Sequence, residues 1–239
     1  AACGQSPTPG AAAPPVPFLR NVFKNERLWA KLAVRIRQVA LMMGADIIHA
    51  QHALTAPAAV EAGQATGIPV VCTVRDYWPV CYWATLIHDP QSVTLCPACS
   101  PGMMTRCVRP RAGAAWPAAL PLIPYMRGNL KRKQRSLARA DAIVAVSSTI
   151  ARDLAERSGL LRHVRIEMVP NPVDISGVRA AAAGAAAPLG EPYAVFVGKL
   201  EVNKGAAFLL PAVERARLPW PLVVVGDGVL RGQMETSAR

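Results

Sequence analysis

The chain has 239 residues, 52% of them hydrophobic, with 27 lysines and arginines against 15 acidic residues, a formal net charge of +12. That apolar content is ample for a core, yet no run of 18 apolar residues occurs, which excludes a transmembrane helix, and nothing resembles a secretory signal. The charge is uneven: from Pro90 to Ala140 there is no Asp or Glu, while Arg106, Arg109, Arg111, Arg127, Lys131, Arg132, Lys133, Arg135 and Arg139 all fall there. Such a block favours a polyanion, whether the phosphates of a small ligand, an anionic lipid surface or nucleic acid.

In chain order, residues 1–17 are Ala, Pro and Gly without periodicity and predict a loop or frayed end, with Cys3 uninformative. From Arg27 to Met43, apolar residues at Leu28, Leu32, Val34, Ile36, Val39 and Met43 predict a helix with Lys31, Arg35 and Arg37 outside, ended by Gly44. ADIIHAQH (Ala45 to His52) reads as a strand entering a loop. A helix from about Pro57 to Thr66 then leads through Gly67 to a buried strand, IPVVCTV, ending at Val74.

The next stretch begins Arg75-Asp76-Tyr77-Trp78 and continues to Cys107. Its aromatics Tyr77, Trp78, Tyr82 and Trp83 suit either a sugar ring or the packing of a long loop. Cys81, Cys96, Cys99 and Cys107 lie in the same region. The Cys96-Pro-Ala-Cys99 pair has zinc-knuckle spacing, and four thiolates would complete a tetrahedral structural site. Two disulfides, or buried free thiols, are the alternatives.

Trp116 to Met126 is apolar but broken by Pro117, Pro121 and Pro124, and RGNLKRKQRSLARA follows as a basic helix up to Ala140. This helix fits an anionic membrane surface, an acidic acceptor, or plain solvent. DAIVAVSS is a strand whose serines can cap a helix from about Thr149 to Ser158, with Gly159 as its stop, and VRIEMVPNPVD (Val164 to Asp174) is a further strand. GVRAAAAGAAAPLGEP (Gly177 to Pro192) is of low complexity and reads as a linker.

The C-terminal region holds the sharpest pattern: AVFVGKLEVNKG from Ala194 to Gly205, answered by PLVVVGDG from Pro221 to Gly228. Two valine-rich runs ending on glycine, with AAFLLPAVERAR between them, predict a βαβ unit whose helix is kinked or shortened by Pro211. Ligands of such sheets collect at the carboxyl ends of the strands. Gly198 permits close backbone approach there, Lys199 and Lys204 bring two cations to one edge, and a helix opening at Gly205 suits a diphosphate. Gly226, Asp227 and Gly228 form the other side of that edge.

VGKLEVNKG followed by VVVGDG resembles the donor-site core of the family 4 glycosyltransferases, two-Rossmann (GT-B) enzymes that use sugar nucleotides. The family typically shows Gly-Arg, a few variable residues, then Lys-Gly, and its basic pair holds the donor diphosphate. Gly198, Lys204 and Gly205 match, and Lys199 stands where arginine is usual. Earlier segments resemble the family too: Asp46-Ile47-Ile48-His49, the Ala-Asp-aliphatic strand DAIVAVSS from Asp141 with its serine-capped helix, and Pro170-Asn171-Pro172, where Pro172 replaces a glycine. At the strand end after Cys72 the family often carries Thr-x-His-Asp; here Thr73, Val74 and Asp76 fit, but Arg75 replaces the histidine, so no general-base role carries over.

The resemblance implies an α/β fold of two Rossmann-like domains, both incomplete and truncated at both ends. Residues 1–176 would form a partial acceptor-side domain with a Cys-rich loop at 81–107, residues 177–192 a linker, and residues 193–239 the start of the donor-binding domain. It implies a retaining transferase moving a sugar from a nucleotide donor to a glycan, lipid or small-molecule acceptor, with no cofactor beyond the donor. Asp76 is the candidate catalytic carboxylate, Arg75, Tyr77 and Trp78 the acceptor side, and Gly198, Lys199, Lys204 and Gly205 the diphosphate site. The enzyme would be cytoplasmic, in peripheral contact with the inner face of an anionic membrane, and the fragment by itself inactive. A basic zinc-knuckle nucleic-acid binder, or a GT-B relative that epimerises or hydrolyses sugar nucleotides, are the other readings.

Overall fold

A computed structural model describes residues 16–89 and 94–238. Helix α1 (Val16–Met42) is followed by β1 (Ile48–Ala50), α2 (Ala56–Thr66) and β2 (Val70–Val74). A long excursion then carries a small hairpin, β3 (Ile87–Asp89) and β4 (Thr94–Leu95), and the helices α3 (Pro101–Ala112), α4 (Trp116–Ala119) and α5 (Ile123–Leu137). The chain returns through β5 (Ala142–Ala145), α6 (Ser148–Arg157), β6 (Ile166–Met168) and α7 (Ile175–Ala183). Last come β7 (Ala194–Val197), α8 (Ala206–Ala216), β8 (Leu222–Val225) and α9 (Arg231–Ser237).

The four valine- and isoleucine-bearing runs β1, β2, β5 and β6 form one sheet in that order, all parallel, and β7 and β8 form a second parallel pair. Parallel strands alternating with helices make the protein a mixed α/β, Rossmann-like structure, as the patterning predicts. In the first sheet Cys72 lies between Ala50 and Ile143, and neither Cys72 nor Ile143 has any exposed surface. Burial pushes the Cys72 thiol up to about 12, so it behaves as an inert core residue.

Helix α2 is a thin layer of Ala56, Pro57, Ala58, Ala59, Val60, Ala62 and Gly63, all buried. Gly63 is required: a Cβ there would stand 2.2 Å from Val70 Cγ2 and 2.7 Å from the Ile68 carbonyl oxygen. Trp29 and Ala33 of α1 pack on Ala58. The buried stripe of α1 is therefore Trp29, Ala33 and Ala40, with Ile36 partly buried between them, at helical spacing. Val34 and Met43, predicted on the inner face, are 51% and 73% exposed: Val34 is one position out of phase with that stripe, and Met43 lies past the end of the helix. Gly44 takes the left-handed conformation (φ 60°) that ends the helix, as expected.

Other boundaries move for identifiable reasons. Helix α1 begins at Val16, inside the stretch expected to be a loop. The prolines of residues 116–126 do not break helical structure but start it: Pro117, Pro121 and Pro124 each sit at the first or second position of a short helical segment, where a missing amide costs nothing. Pro211 lies inside α8 without ending it; Ala207, whose carbonyl loses its usual helical donor to the proline, is an exposed residue. The low-complexity stretch opens as helix α7, which the Asp174 carboxylate caps by accepting from the Gly177 amide at 2.9 Å. Ser147, not Ser148, caps α6, accepting from the Ile150 amide at 3.2 Å. Among the described residues no helix is long and apolar enough to cross a membrane.

Helices α1 and α5 are tied by Glu26. Its carboxylate accepts from Asn129 Nδ2 at 3.0 Å and from Arg132 Nε at 3.1 Å. Burial alone would raise the Glu26 pKa, but the hydrogen bonds from Asn129 and Arg132 and the Arg132 charge outweigh it and hold the carboxyl below its ordinary range. Because Asn129 is only 3% exposed, Glu26→Ala leaves a buried amide unsatisfied, at a cost of about 1–3 kcal/mol. The sign of the pH dependence follows from the lowered carboxyl. The contribution is present above the unfolded-state pKa and is lost as pH falls through the native value. Urea unfolding of wild type and Glu26→Ala should therefore differ more at pH 7 than under acid conditions, where the protonated carboxyl keeps only its neutral hydrogen bonds; a constant difference down to pH 3 would show that the Glu26 charge contributes nothing.

Candidate active site at the strand ends

The predicted site residues fall into two groups, each at the carboxyl ends of the strands of its own sheet. In the first group, β1 ends near His49 and Gln51, and β2 ends at Thr73, Val74 and Arg75. His49 Nε2 lies 2.8 Å from Thr73 Oγ1, and Arg75 Nη2 donates to Gln51 Oε1 at 2.6 Å. Gln51 Nε2 lies 3.4 Å from His49 Nδ1. His49, Gln51 and Arg75 are exposed, and Thr73 is nearly buried beneath them. The result is a polar rim, one cation included, over the apolar sheet.

The residues after Arg75 divide between rim and core. Asp76 is exposed, and its Oδ1 accepts from the Trp78 amide at 2.8 Å, which turns the chain away from the strand. Tyr77 is half-buried, whereas Trp78 is 3% exposed and packs in the main core with Val74 and Val80. Trp78 thus serves as packing, and of the predicted acceptor-side aromatics Tyr77 alone stays at the rim. Tyr82 and Trp83 meet edge to face, centroids 5.2 Å apart.

One residue of this site escaped the sequence pattern. Lys133 reads there as part of a solvated basic face. In the fold it turns inward, with Nζ 5.7 Å from the centre of the Tyr82 ring. Burial lowers its pKa, an effect partly opposed by the Asp76 carboxylate. It thereby brings a sheltered cation to the carboxylate at the end of β2. The only signal in the chain is its spacing of four from Asn129 and Leu137, both buried on the same face of α5.

The four loop cysteines converge. Cys81, Cys96, Cys99 and Cys107 line a single small cavity under the β3–β4 hairpin and α3, together with Arg157 of α6. They carry no disulfide. Burial pushes Cys99 up to about 11 and Cys107 up to about 12. Among the described residues no three His, Cys, Asp or Glu side chains stand in metal-holding geometry. The loop that carries the cysteines is strained: Ala84 and Leu86 adopt φ values of 61° and 57°, left-handed positions that cost roughly 1–2 kcal/mol each for a residue with a side chain.

The second group sits at the ends of β7 and β8. The ladder continues past β7, with the Gly198 amide donating to the Val225 carbonyl at 3.0 Å and the Leu200 amide to the Asp227 carbonyl at 2.9 Å. This approach explains the paired glycines: a Cβ on Gly226 would fall 1.8 Å from the Gly198 oxygen, and one on Gly228 would fall 2.5 Å from the Leu200 oxygen. Lys199 is 72% exposed, with Nζ 3.9 Å from Glu201, too loose and wet to hold it. Lys204 is exposed at the end of a 3₁₀ turn, Val202–Lys204, and Gly205 (φ 76°) passes the chain into α8. The helix start is less open than expected, since the Ala206 amide donates to the Glu201 carbonyl and the Phe208 amide to that of Gly205. The carbonyls of Glu201 and Gly205, on either side of the 3₁₀ turn, take those donors, so positive charge here comes chiefly from the two lysines. Asp227 is engaged locally: its Oδ1 accepts from the Gly228 amide at 2.8 Å and lies 3.9 Å from Arg231.

Comparison with curated proteins finds no match. The sequence profile of Glycosyltransferase Family 4 matches residues 2–176, which contain the whole first sheet, the strand-end rim at Thr73–Tyr77 and the cysteine loop. That match spans most of the chain, and the protein belongs to glycosyltransferase family 4.

Proposed function

We propose that the protein transfers a sugar from a nucleotide-sugar donor to a glycan, lipid or small-molecule acceptor, with retention of anomeric configuration, at the cytoplasmic face of a membrane. Family membership supplies glycosyl transfer in general. The matched segment ends at residue 176, so the donor half of the proposal is carried by one observation: two exposed lysines, Lys199 and Lys204, bracket the turn between β7 and α8 at a glycine-lined strand end.

The chemistry follows from charge. As the glycosidic bond to the donor breaks, negative charge grows on the departing nucleoside diphosphate and positive charge on the sugar. Lys199 and Lys204 meet the first, while the absence of side chains at Gly198, Gly205, Gly226 and Gly228 lets the phosphates approach the backbone. On the acceptor side, Arg75 and Tyr77 flank Asp76 at the end of β2, with His49 and Gln51 completing the rim and Lys133 holding a cation near the Asp76 carboxylate. Asp76 orients the acceptor in this reading, and Trp78 supports the rim from the core.

A membrane contact fits the exposed side of α3–α5. Arg106, Arg109, Arg127, Lys131 and Arg135 are exposed there, alongside exposed Pro117, Pro121 and Pro124. Basic side chains around small apolar projections suit an anionic lipid surface.

Two measurements test these statements. A charge-assisted contact contributes roughly 1.5–3 kcal/mol, or about tenfold to a hundredfold in affinity. Lys204→Ala and Lys199→Ala should each weaken nucleoside-diphosphate binding by about tenfold or more, while Lys199→Arg is tolerated. Undiminished transfer by Lys204→Ala at limiting donor would move the diphosphate site elsewhere. For the membrane, vesicle co-sedimentation should require acidic lipid, decline with salt and fall when Arg127, Lys131 and Arg135 are replaced together by glutamine. Equal partitioning onto neutral vesicles would remove the membrane assignment.

A further inference from the structure

We propose that Arg75 binds a phosphate monoester on the acceptor, and that Thr73, His49 and Gln51 are positioning residues that fix its guanidinium for that contact. The inference deepens the acceptor half of the proposed function and rests on it. Its basis is a chain of three hydrogen bonds at the ends of β1 and β2. His49 Nε2 lies 2.8 Å from Thr73 Oγ1, Gln51 Nε2 lies 3.4 Å from His49 Nδ1, and Arg75 Nη2 donates to Gln51 Oε1 at 2.6 Å. Strand alternation sets this up. His49 and Gln51 are two apart at the end of β1, Thr73 and Arg75 are two apart at the end of β2, and the two strands are parallel neighbours.

The direction of every bond follows from the guanidinium. Arginine has donors and no acceptor, so Gln51 must turn its oxygen to Arg75 and its NH₂ group to His49. His49 Nδ1 then accepts, and the imidazole hydrogen sits on Nε2, which donates it to Thr73 Oγ1. Thr73 lies within β2 and is only 9% exposed. An exposed cation is thus tied, link by link, to the rigid sheet. Holding a long side chain in one rotamer beforehand removes an ordering cost that a ligand would otherwise meet.

The choice of partner points to a ligand. A carboxylate would hold the guanidinium more strongly but cancel its charge, whereas an amide oxygen orients it and leaves the charge intact. Asp76, the next residue in the chain, is turned to the Trp78 amide at 2.8 Å, and among the described residues Arg75 stands in no ion pair. Helix α5 brings a second cation to the same turn. Gln134 Nε2 donates to the Pro79 carbonyl at 2.8 Å, and Lys133 Nζ lies 5.7 Å from the centre of the Tyr82 ring. Lys133 too stands in no ion pair among the described residues. Two cations against one carboxylate suit an anion of more than one charge, and the planar fork of arginine matches two phosphate oxygens. A phosphate monoester meets both conditions, on a soluble acceptor or on a lipid.

The test follows the Arg75 Nε–H signal by NMR, assigned by its loss in Arg75→Lys, while methyl phosphate is titrated into the folded protein. A saturable shift at millimolar concentration is expected, with a weaker response to singly charged acetate. Gln51→Ala, which frees the guanidinium, should weaken binding about two- to tenfold. Gln51→Glu, which keeps the anchor but neutralises Arg75, should weaken it by about tenfold or more. A residue that only held the loop together would give no such loss in the glutamate variant. Vesicles containing phosphatidic acid form a second arm. A shift with methyl phosphate supports a soluble acceptor, and a shift with vesicles alone supports a lipid one. No saturable shift in wild type with either probe, an equal response to acetate, or undiminished binding in Gln51→Glu overturns the proposal, and the wild-type titration decides even where a variant fails to fold. Nucleoside-diphosphate binding that still depends on Lys204 beside an unresponsive Arg75 strikes this inference and leaves the transfer reading in place.

Discussion

The first sheet depends on an exchange between Val70 and Asp141. The Val70 amide donates to the Asp141 carboxylate at 2.8 Å, and the Val70 carbonyl accepts from the Asp141 amide at 3.0 Å. The pair closes the excursion that separates β2 from β5 and places Val71 opposite Ala142, from which Cys72 against Ile143 and Val74 against Ala145 follow. A parallel strand slipped by one residue would turn its buried side chains outward. Fixing the first residue of β2 to the residue just before β5 by both a side-chain and a backbone bond prevents that slip. It also ensures that the rim at Thr73–Tyr77 ends level with the strand beside it.

Seen from this anchor, the excursion is an insertion that builds its own small core. Met104, Val108, Ile123, Met126 and Leu130 pack together beside the main cluster, and Gln134 Nε2 donates to the Pro79 carbonyl at 2.8 Å to join the two. The cysteine cavity and the inward-turned Lys133 lie along this seam. Stabilising the insertion and shaping the acceptor-side rim are therefore the same physical problem, solved by one set of contacts.

The parallel strands and the stops at Gly44 and Gly67 were legible in the sequence because each follows from a local rule, whereas the β3–β4 hairpin was not, and α6 ends at Arg157 with Ser158 rather than Gly159 as its cap. A valine run ending on glycine needs no knowledge of its partner, whereas the reason for Gly226, the Gly198 oxygen beside it, appears only in the fold. What was not legible depends on partners distant in the chain. Trp29 and Ala33 face inward because α2 is made of small residues, a fact about residues 56–63 and not about α1. Trp78 and Tyr77 are neighbours of similar chemistry, and only the Asp76 turn decides which is buried. Lys133 sits in a basic run like any other until Asp76 and Tyr82 are brought beside it. The amides at the start of α8 were expected to be open, but the carbonyls of Glu201 and Gly205 satisfy two of them, a local choice that the Lys-Gly pattern does not encode.

The length of the excursion has a consequence for the order in which the protein is made. On a ribosome, β1 and β2 emerge and can pair with α1 and α2 at hand, but the far edge of β2 stays open until the chain has grown by the 71 residues that separate Val70 from Asp141. At the usual pace of synthesis that wait is on the order of 4–14 s, far longer than strand pairing itself needs. During it the nascent chain presents Val70, Cys72 and Val74 beside an unpaired strand edge, the surface that invites pairing with a neighbouring chain. Holding factors that bind exposed apolar edges would act on this chain in that interval and lose their grip once Asp141 closes onto Val70.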